Sequence, residues 1–256
     1  MSTVASTLAL QAIGLNRSFG GLKATNNVSF EVQPGTVTAL IGPNGAGKTT
    51  VFNLITNLFP VDSGEIRFEG KRIDGLSPGR IAHMGLIRTF QTARVFPGMT
   101  VQENILAGHH RMIRHGFMPQ ALWLPGTRRE ERELAARADA LLEFVMLSRF
   151  RDTHATELPM GAQKLLEVLR ALMAQPRVLL LDEPAAGLND TETAELAALL
   201  LAIRESGITV LVVEHNMSLV MGVADAIVVL EAGAVIATGT PAEIQRNERV
   251  IQAYLG

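Results

Sequence analysis

One stretch of the sequence has residues suited to holding a chain of phosphates. It follows the pattern Gly, four further residues, Gly-Lys and Thr, and it consists of Gly42, Pro43, Asn44, Gly45, Ala46, Gly47, Lys48, Thr49 and Thr50. Glycine lets the backbone curl tightly, so that several N–H groups point at one anion. Lys48 supplies a mobile positive charge, and the hydroxyl of Thr49 is a suitable ligand for Mg²⁺. The spacing therefore predicts a loop that binds a nucleoside triphosphate together with Mg²⁺.

The residues on either side of this loop predict the structure that the loop requires. Residues 36–41 form a short apolar run, which indicates a buried strand, and a helix is predicted to begin at Lys48. A strand followed by the loop and a helix is the context in which this pattern binds phosphate. The positive end of the helix dipole adds to the attraction for the anion.

Two further apolar runs end in polar residues. Val178–Leu181 precedes Asp182 and Glu183, and residues 208–213 lead to His215. The carboxyl ends of parallel strands meet at one edge of a sheet, beside the phosphate loop. We therefore predict that Asp182 contributes to a magnesium site and that Glu183 polarises an attacking water. At the same edge, His215 is within reach of a γ-phosphate.

Composition excludes several other classes of protein. The chain of 256 residues has 47% hydrophobic residues and a formal net charge of −2, which provides no electrostatic footprint for nucleic acid. The absence of cysteine excludes disulfides and thiolate metal sites. No apolar run approaches the length of a transmembrane helix, and the N-terminus lacks the positive start of a secretion signal. We expect a soluble, cytosolic protein unless a partner docks it on a membrane. No Asn-Lys-x-Asp motif is present, which disfavours a GTPase.

The remaining patterns predict an α/β fold. Strands with alternating apolar residues at 28–32 and 66–69 indicate an antiparallel sheet with one solvated face. Strand patterns vanish after residue 92, and Thr127 has capping-box spacing to Glu130, which predicts a helix start. We therefore predict a single domain over residues 1–256. Its parts are a phosphate-loop NTPase core with a mixed or parallel sheet (1–91 and 163–256), an antiparallel β subdomain and an inserted helical subdomain (92–162).

In their order along the chain, these motifs closely resemble those of the ATP-binding subunit of ATP-binding cassette (ABC) transporters. The order is the phosphate loop, Gln91 after a strand, a helical region, a glycine turn at residues 158–163, Asp182-Glu183 and His215. The resemblance covers essentially the whole chain. It implies that the nucleotide is ATP, that Mg²⁺ is the metal and that the chain hydrolyses ATP.

The resemblance also implies individual roles. Phe19 would stack on the adenine, an interaction of about 1–3 kcal/mol per base. Gln91 would contact the metal and the attacking water and report the γ-phosphate to a membrane partner. Glu183 would be the catalytic base, and His215 would hold the γ-phosphate. Two such subunits would enclose two ATP molecules head to tail, with residues 186–189 crossing between them and each site using the other subunit's signature loop.

The signature loop departs from the family pattern Leu-Ser-Gly-Gly-Gln. Pro159 replaces the serine, Met160 replaces the first glycine and Ala162 stands where glutamine is expected, whereas Gly161 is retained. Loss of the serine hydroxyl removes a contact to γ-phosphate that is worth about 1.5–3 kcal/mol. We therefore expect a weakened signature, which favours a heterodimer with a second ATP-binding subunit, while a homodimer stays open.

A finer resemblance is to the importer ATPases for branched-chain amino acids. It rests on residues 88–91, 97–104, 183–189 and 253–256. Those ATPases work at the cytoplasmic face of the inner membrane with a second ATPase, two permeases and a periplasmic binding protein. The resemblance implies that residues 95–97 and Met99 form an apolar contact surface for the permease. Importers of urea and short amides are similar, and lipopolysaccharide-export ATPases share the tail more weakly.

A second hypothesis is that the chain mainly binds nucleotide while a companion performs most of the turnover. Pro159 favours this hypothesis, and the intact Glu183 and His215 disfavour it. Cassette ATPases that act on DNA or ribosomes are disfavoured by the lack of a second cassette, a coiled coil or a basic surface.

Overall fold

The strands of this protein form two sheets. The structure is a computed structural model that describes residues 8–89, 95–112 and 125–255. The strands are β1 (Leu10–Phe19), β2 (Leu22–Val32), β3 (Val37–Ile41), β4 (Ser63–Phe68), β5 (Lys71–Arg72), β6 (Leu86–Arg88), β7 (Val178–Asp182), β8 (Thr209–Val213), β9 (Ala226–Glu231) and β10 (Ala234–Gly239).

Nine α-helices lie within the described residues. They are α1 (Lys48–Ile55), α2 (Pro78–His83), α3 (Val101–Leu106), α4 (Pro125–Phe144), α5 (Met160–Met173), α6 (Asp190–Glu205), α7 (Met217–Val223), α8 (Pro241–Gln245) and α9 (Glu248–Leu255). Short 3₁₀ turns follow α3 and precede α5. None of the helices in the described part of the chain is both long and apolar enough to cross a bilayer.

The larger sheet has six strands in the order β10-β9-β3-β8-β7-β6. All neighbouring pairs are parallel except β9 and β10. Every residue of β3, β7 and β8 is buried, as expected for strands that are covered on both faces. In the register of the sheet, Val213 of β8 lies beside Leu40 of β3 and Asp182 of β7. The predicted site residues therefore follow strands that end at one edge of the sheet.

The smaller sheet is antiparallel, with the order β2-β1-β4-β5. It confirms the prediction made from alternating residues, and β1, which the apolar run of residues 8–15 predicts to end at Leu15, continues to Phe19. Leu10 of β1, Phe68 of β4, Leu40 of β3 and Phe52 of α1 belong to one buried hydrophobic cluster. This shared core fixes the helix that follows the phosphate loop.

The chain divides into two compact units. The first comprises residues 1–91, 177–186 and 196–256, and the second comprises residues 92–176 and 187–195. The second unit is mainly helical: α3, α4 and α5 contact one another, and Thr100 opens α3 with a capping box.

Three predicted helix boundaries were wrong. The helix α4 begins at Pro125, two residues before the predicted capping box at Thr127. The helix α5 begins at Met160, whereas the sequence indicated a glycine turn as far as Gln163. Pro159 stands before the first turn of α5 and has a backbone angle suited to starting a helix. Gly161 lies inside this helix. The residues Thr240 and Pro241 predict the start of one helical stretch ending at Tyr254, whereas the tail forms two helices, α8 and α9.

Candidate functional site

The loop between β3 and α1 needs glycine at two positions because other backbone segments approach it closely. A Cβ atom on Gly42 would lie 2.1 Å from the carbonyl oxygen of Leu230, and one on Gly47 would lie 2.5 Å from that of Ala24. Gly47 also has a φ of 98°, a left-handed conformation that disfavours other residues. Backbone carbonyls cannot rotate away as a side chain can. The tertiary structure thus requires both glycines before any ligand is considered.

The β9–β10 turn and β2 hold this loop in place. The N–H of Gly233 donates to the carbonyl of Ala46 at 3.1 Å, and the N–H of Asn26 donates to the carbonyl of Gly233 at 2.7 Å. On α9, burial raises the pKa of the Tyr254 hydroxyl, and a hydrogen bond from the Gly42 backbone opposes that shift. The loop is therefore supported by the turn and by β2.

Lys48 lies buried at the start of α1 and reaches back across the loop. Its Nζ donates to the carbonyls of Gly42 at 2.7 Å and Pro43 at 3.1 Å. Burial lowers the pKa of Lys48, and the nearby carboxylates of Glu183 and Asp182 oppose this shift. The ammonium group thus contacts the loop itself and is attracted by the two acids, and a phosphate would exchange contacts with it.

Asp182, the last residue of β7, presents one carboxylate oxygen that lacks a partner. The residue is only 2% exposed, and its Oδ2 accepts a hydrogen bond from Arg88 at 2.7 Å. Its Oδ1 is buried and meets no hydrogen-bond donor among the described residues. Thr49, in the first turn of α1, is exposed. A carboxylate and a hydroxyl are the hard oxygen ligands that Mg²⁺ accepts alongside substrate phosphates, so the residues present fit this metal.

Glu183 adopts a backbone conformation that is unusual for its type. Its φ of 49° is left-handed, which costs about 1–2 kcal/mol for a residue other than glycine. The N–H of Glu183 donates to the carbonyl of Val213 at 2.9 Å, and the N–H of Ala186 donates to the carbonyl of Glu183 at 3.1 Å. These bonds hold the residue at the sheet edge in its strained conformation, as occurs at functional sites.

Glu214 is an important residue of the site to which the sequence analysis assigned no role. Its carboxylate is fully buried, and Oε1 accepts from the N–H of Ala185 at 2.7 Å. Oε2 accepts from the N–H groups of His215 at 2.9 Å and Asn216 at 3.0 Å. This side chain ties the turn after β8 to the turn after β7. The available sequence signal was an acid directly after a wholly apolar strand.

We expect the substitution Glu214→Gln to weaken both turns. Glutamine has one acceptor oxygen, so its amide NH₂ would face backbone N–H groups, and the free energy of unfolding should fall by about 2 kcal/mol. Turnover of ATP should fall as well, because Glu183 precedes the Ala185 contact. Denaturant unfolding and an ATPase assay measure both effects, with Glu195→Gln on an exposed part of α6 as the control. Equal stability of Glu214→Gln and the control would contradict the assigned role.

His215 and Phe19 both reach the surface. The side chain of His215 is 58% exposed, and its Nδ1 lies 3.9 Å from Oε2 of Glu214. Phe19 ends β1 with 39% exposure, packs edge-to-face on Phe59 at 5.4 Å and has the guanidinium of Arg17 at 4.9 Å from its ring centre. Both side chains are accessible to a ligand, and their roles at the γ-phosphate and the adenine stay predictions.

The signature residues begin α5 in the second unit. Pro159 is the N-cap, Met160 is 65% exposed and Gly161 is buried. A Cβ on Gly161 would lie 2.2 Å from Oε1 of Glu192. Glu192 is itself held, because its Oε2 accepts from the N–H of Asn189 and its own N–H donates to Oδ1 of Asn189, both at 3.0 Å. Gly161 is thus required within its own subunit.

The other predicted site residues have varied exposure. Asn44 and Gly45 are exposed, Ala46 is buried, and Pro43, Thr50 and Ala162 are half-buried. Gln91 lies outside the described residues.

The chain is similar to known proteins over nearly its whole length. The sequence profile described as ABC transporter matches residues 25–186, and a profile described as branched-chain amino acid ATP-binding cassette transporter matches residues 234–256. The high-affinity branched-chain amino acid transport ATP-binding protein BraF of Pseudomonas aeruginosa is 47% identical over 248 residues, which cover 96% of this chain and 97% of BraF. The corresponding LivG protein of Escherichia coli strain K12 is 44% identical over 248 residues, with coverages of 96% and 97%.

Solved structures agree with this relationship. A nucleotide-free ATP-binding cassette from an ABC transporter is 34% identical, with a TM-score of 0.83, and the match covers 97% of this chain and 99% of that one. An ATP-binding cassette in an ADP conformation has the same identity and coverages and a TM-score of 0.84. The predicted fold class, with an α/β core and an antiparallel sheet, is therefore confirmed. The chain belongs to the ABC transporter family and is one of its ATP-hydrolysing, ATP-binding subunits.

Proposed function

We propose that this chain hydrolyses ATP to drive import of branched-chain amino acids. The observation that carries the proposal is identity of 44–47%, over almost the whole chain, to proteins named for branched-chain amino acid transport. The separate match of residues 234–256 to a branched-chain profile supports the same assignment. The chain is peripheral and docks on permease subunits at the cytoplasmic face of the inner (plasma) membrane.

The phosphate loop binds the triphosphate of ATP in this proposal. Lys48 exchanges its contacts with the carbonyls of Gly42 and Pro43 for contacts with the β- and γ-phosphates. The first N–H groups of α1 have no acceptor within the helix and donate to phosphate oxygens. Phe19, at the surface end of β1, stacks on the adenine.

Hydrolysis transfers the γ-phosphoryl group from ATP to water, and ADP is the leaving group. Bound Mg²⁺ would neutralise developing charge on the phosphates, and Thr49, Asp182 and Gln91 are the residues that would hold it. The carboxylate of Glu183 accepts a hydrogen bond from the attacking water and orients it towards the γ-phosphate. His215 donates a hydrogen bond to a γ-phosphate oxygen from its position after β8. Glu214 keeps the backbone of both turns fixed while these contacts form.

A second ATP-binding subunit completes the ATPase dimer. Two subunits close head to tail over two ATP molecules, and each presents Pro159, Met160, Gly161 and Ala162 to its neighbour's ATP. Pro159 offers neither a hydroxyl nor an N–H to phosphate. We therefore infer a heterodimer in which the ATP contacted by this chain's signature is held less tightly. The periplasmic binding protein acts on the permeases and has no direct contact with this chain.

The permease contact is assigned to the segment that precedes α3. Phe96 is 45% exposed and Met99 is 40% exposed. The buried side chain of Asn104 holds this segment, because its Oδ1 accepts from the N–H of Phe96 at 2.7 Å and its Nδ2 donates to carbonyls of Phe96, Met99 and Thr100. Two exposed apolar side chains on a fixed backbone provide a contact suited to a helix of a membrane protein.

Uptake by cells tests the substrate assignment. Cells of the source organism that carry Lys48→Ala in place of the normal chain should lose high-affinity uptake of labelled leucine, isoleucine and valine, because the phosphate loop no longer holds ATP. Uptake of urea and acetamide in the same cells is the control. Loss of urea or acetamide uptake with normal leucine uptake would refute the proposal and support an importer of short amides.

A second candidate function is a mainly nucleotide-binding partner in an asymmetric heterodimer, which Pro159 favours. It differs in its response to Glu183→Gln. If the companion performs most turnover, uptake of leucine should survive this substitution, whereas the main proposal expects uptake to be lost.

A further inference from the structure

Arg88 connects Asp182, at the end of β7, to helix α1, which follows the phosphate loop. The proposed mechanism treats these two parts of the site separately. Arg88 is the last residue of β6, and its side chain is only 11% exposed. One terminal nitrogen, NH2, donates to Oδ2 of Asp182 at 2.7 Å. The other, NH1, donates to Oδ1 of Asn53 at 2.7 Å and lies 3.3 Å from Oγ1 of Thr56. Asn53 lies on the helix that follows the phosphate loop and Thr56 caps its end, so Arg88 joins this helix to the end of β7.

The contact with Arg88 distinguishes the two oxygens of Asp182. Oδ2 is occupied by the guanidinium, whereas Oδ1 is buried and meets no donor among the residues that the structure describes. A buried carboxylate oxygen without a partner is unfavourable, so the folded site leaves Oδ1 to be satisfied by something outside these residues. A free carboxylate could rotate and exchange its oxygens. The ion pair disfavours this rotation, because it would break the contact between Oδ2 and the guanidinium.

We propose that Arg88 is a positioning residue that orients Asp182 for a divalent cation and keeps that carboxylate at a fixed distance from the phosphate loop. The inference rests on the proposed function, since it takes Asp182 as part of the cation site. The proposal adds Arg88 of β6 to the residues on which the cation site depends. Arg88 also stands three residues before Gln91 in the chain, so the strand that positions Asp182 leads directly into the segment assigned to the γ-phosphate.

The chemistry of arginine explains why this position needs it. The guanidinium is planar, and its two terminal nitrogens donate in fixed and divergent directions, so that it bonds two partners on different elements at once. The ring of Phe52 lies under it, with 5.5 Å between the guanidinium carbon and the ring centre, and limits its orientation. Lysine has a single point charge on a flexible stem. It can neutralise Asp182, but it cannot hold Asp182 and Asn53 in one rigid geometry.

Binding of Mn²⁺, followed by electron paramagnetic resonance in the presence of a non-hydrolysable ATP analogue, tests the proposal. The affinity of the analogue measured in EDTA provides a second readout that does not involve metal. For Arg88→Met we expect Mn²⁺ affinity to fall by about 10–100-fold, the usual effect of losing a group that orients a metal ligand. The metal-free affinity for the analogue should stay within about twofold, because the phosphate loop itself is unchanged.

Two further variants keep the test decisive if Arg88→Met folds poorly. Arg88→Lys retains the positive charge, and it should still lose Mn²⁺ affinity if orientation matters more than charge. Asn53→Ala leaves the ion pair with Asp182 in place and removes the anchor on α1, and we expect a smaller loss in the same direction. The matched control is Arg72→Met, which breaks another Arg–Asp pair, between the exposed Arg72 of β5 and Asp74 at 2.7 Å, and should change neither affinity.

The outcomes separate this inference from the proposed function. Unchanged Mn²⁺ affinity in folded Arg88→Met or Arg88→Lys would overturn the inference. Parallel losses of Mn²⁺ and metal-free nucleotide binding would also overturn it, because Arg88 would then act only by supporting the fold. Failure of the proposed cation site itself would appear differently, as an Asp182→Asn variant that binds Mn²⁺ as well as the normal protein does.

Discussion

Replacing Glu183 with glutamine should lower the rate of ATP hydrolysis by about 10³-fold while ATP binding is retained. A general base contributes about 10²–10⁴-fold to a reaction, and the amide of glutamine cannot accept the proton of water. Glutamine has nearly the same volume, and the left-handed backbone of residue 183 is held by bonds of the main chain. An ATPase assay and a binding titration with a fluorescent ATP analogue measure the two effects. Loss of binding together with turnover would contradict the assigned role.

The same variant shows which partner completes the site, because it should trap the closed form with ATP. Gel filtration of Glu183→Gln with Mg-ATP should give a monomer if Pro159 makes the signature too weak for self-association. Adding Pro159→Ser restores the missing hydroxyl, and the double variant should then elute as a dimer. A dimer formed by Glu183→Gln alone would refute the weak-signature hypothesis and support a homodimer.

Replacing Gly47 with alanine should be among the most damaging changes in the chain. The new Cβ would lie 2.5 Å from a backbone carbonyl of Ala24, in a residue whose φ is 98°. Overpacking and the left-handed backbone together should lower the free energy of unfolding by about 3 kcal/mol. The loop cannot relax away from Ala24 without disturbing the first turn of α1. We therefore expect ATP binding to be lost as well, measured by denaturant unfolding and nucleotide titration.

The control for this prediction is Gly207→Ala, which separates backbone strain from the clash. Gly207 has a similar φ of 86°, but no atom lies within 4 Å of the position of its Cβ. It should lose only about 1 kcal/mol and bind ATP normally. If the two variants were equally stable, the close approach of Ala24 would have no energetic consequence.

Much of the fold followed from local patterns in the sequence. Short runs of mainly apolar residues, which became the buried strands β7 and β8, are signals that the chain carries in a few neighbouring residues. Boundaries were predicted less well where neighbouring signals conflict. Gly161 indicated a turn, yet it lies inside α5, where glycine is needed because Glu192 occupies the space of a larger side chain. That contact joins residues 31 positions apart and leaves no local signal.

The sequence by itself determined the chemistry of this protein. The glycines, Lys48 and Thr49 lie within one short segment of the sequence. Asp182 and Glu183 come directly after an apolar run. These two groups of residues lie near each other if the strands before them are parallel neighbours in one sheet. Only the tertiary structure decided how these groups are held. The contacts of Arg88 with Asp182, and of Glu214 with Ala185, join residues 94 and 29 positions apart. Both contacts involve buried charged side chains. The packing of the strands decides which partner each charge meets, and no fixed spacing in the sequence predicts that partner.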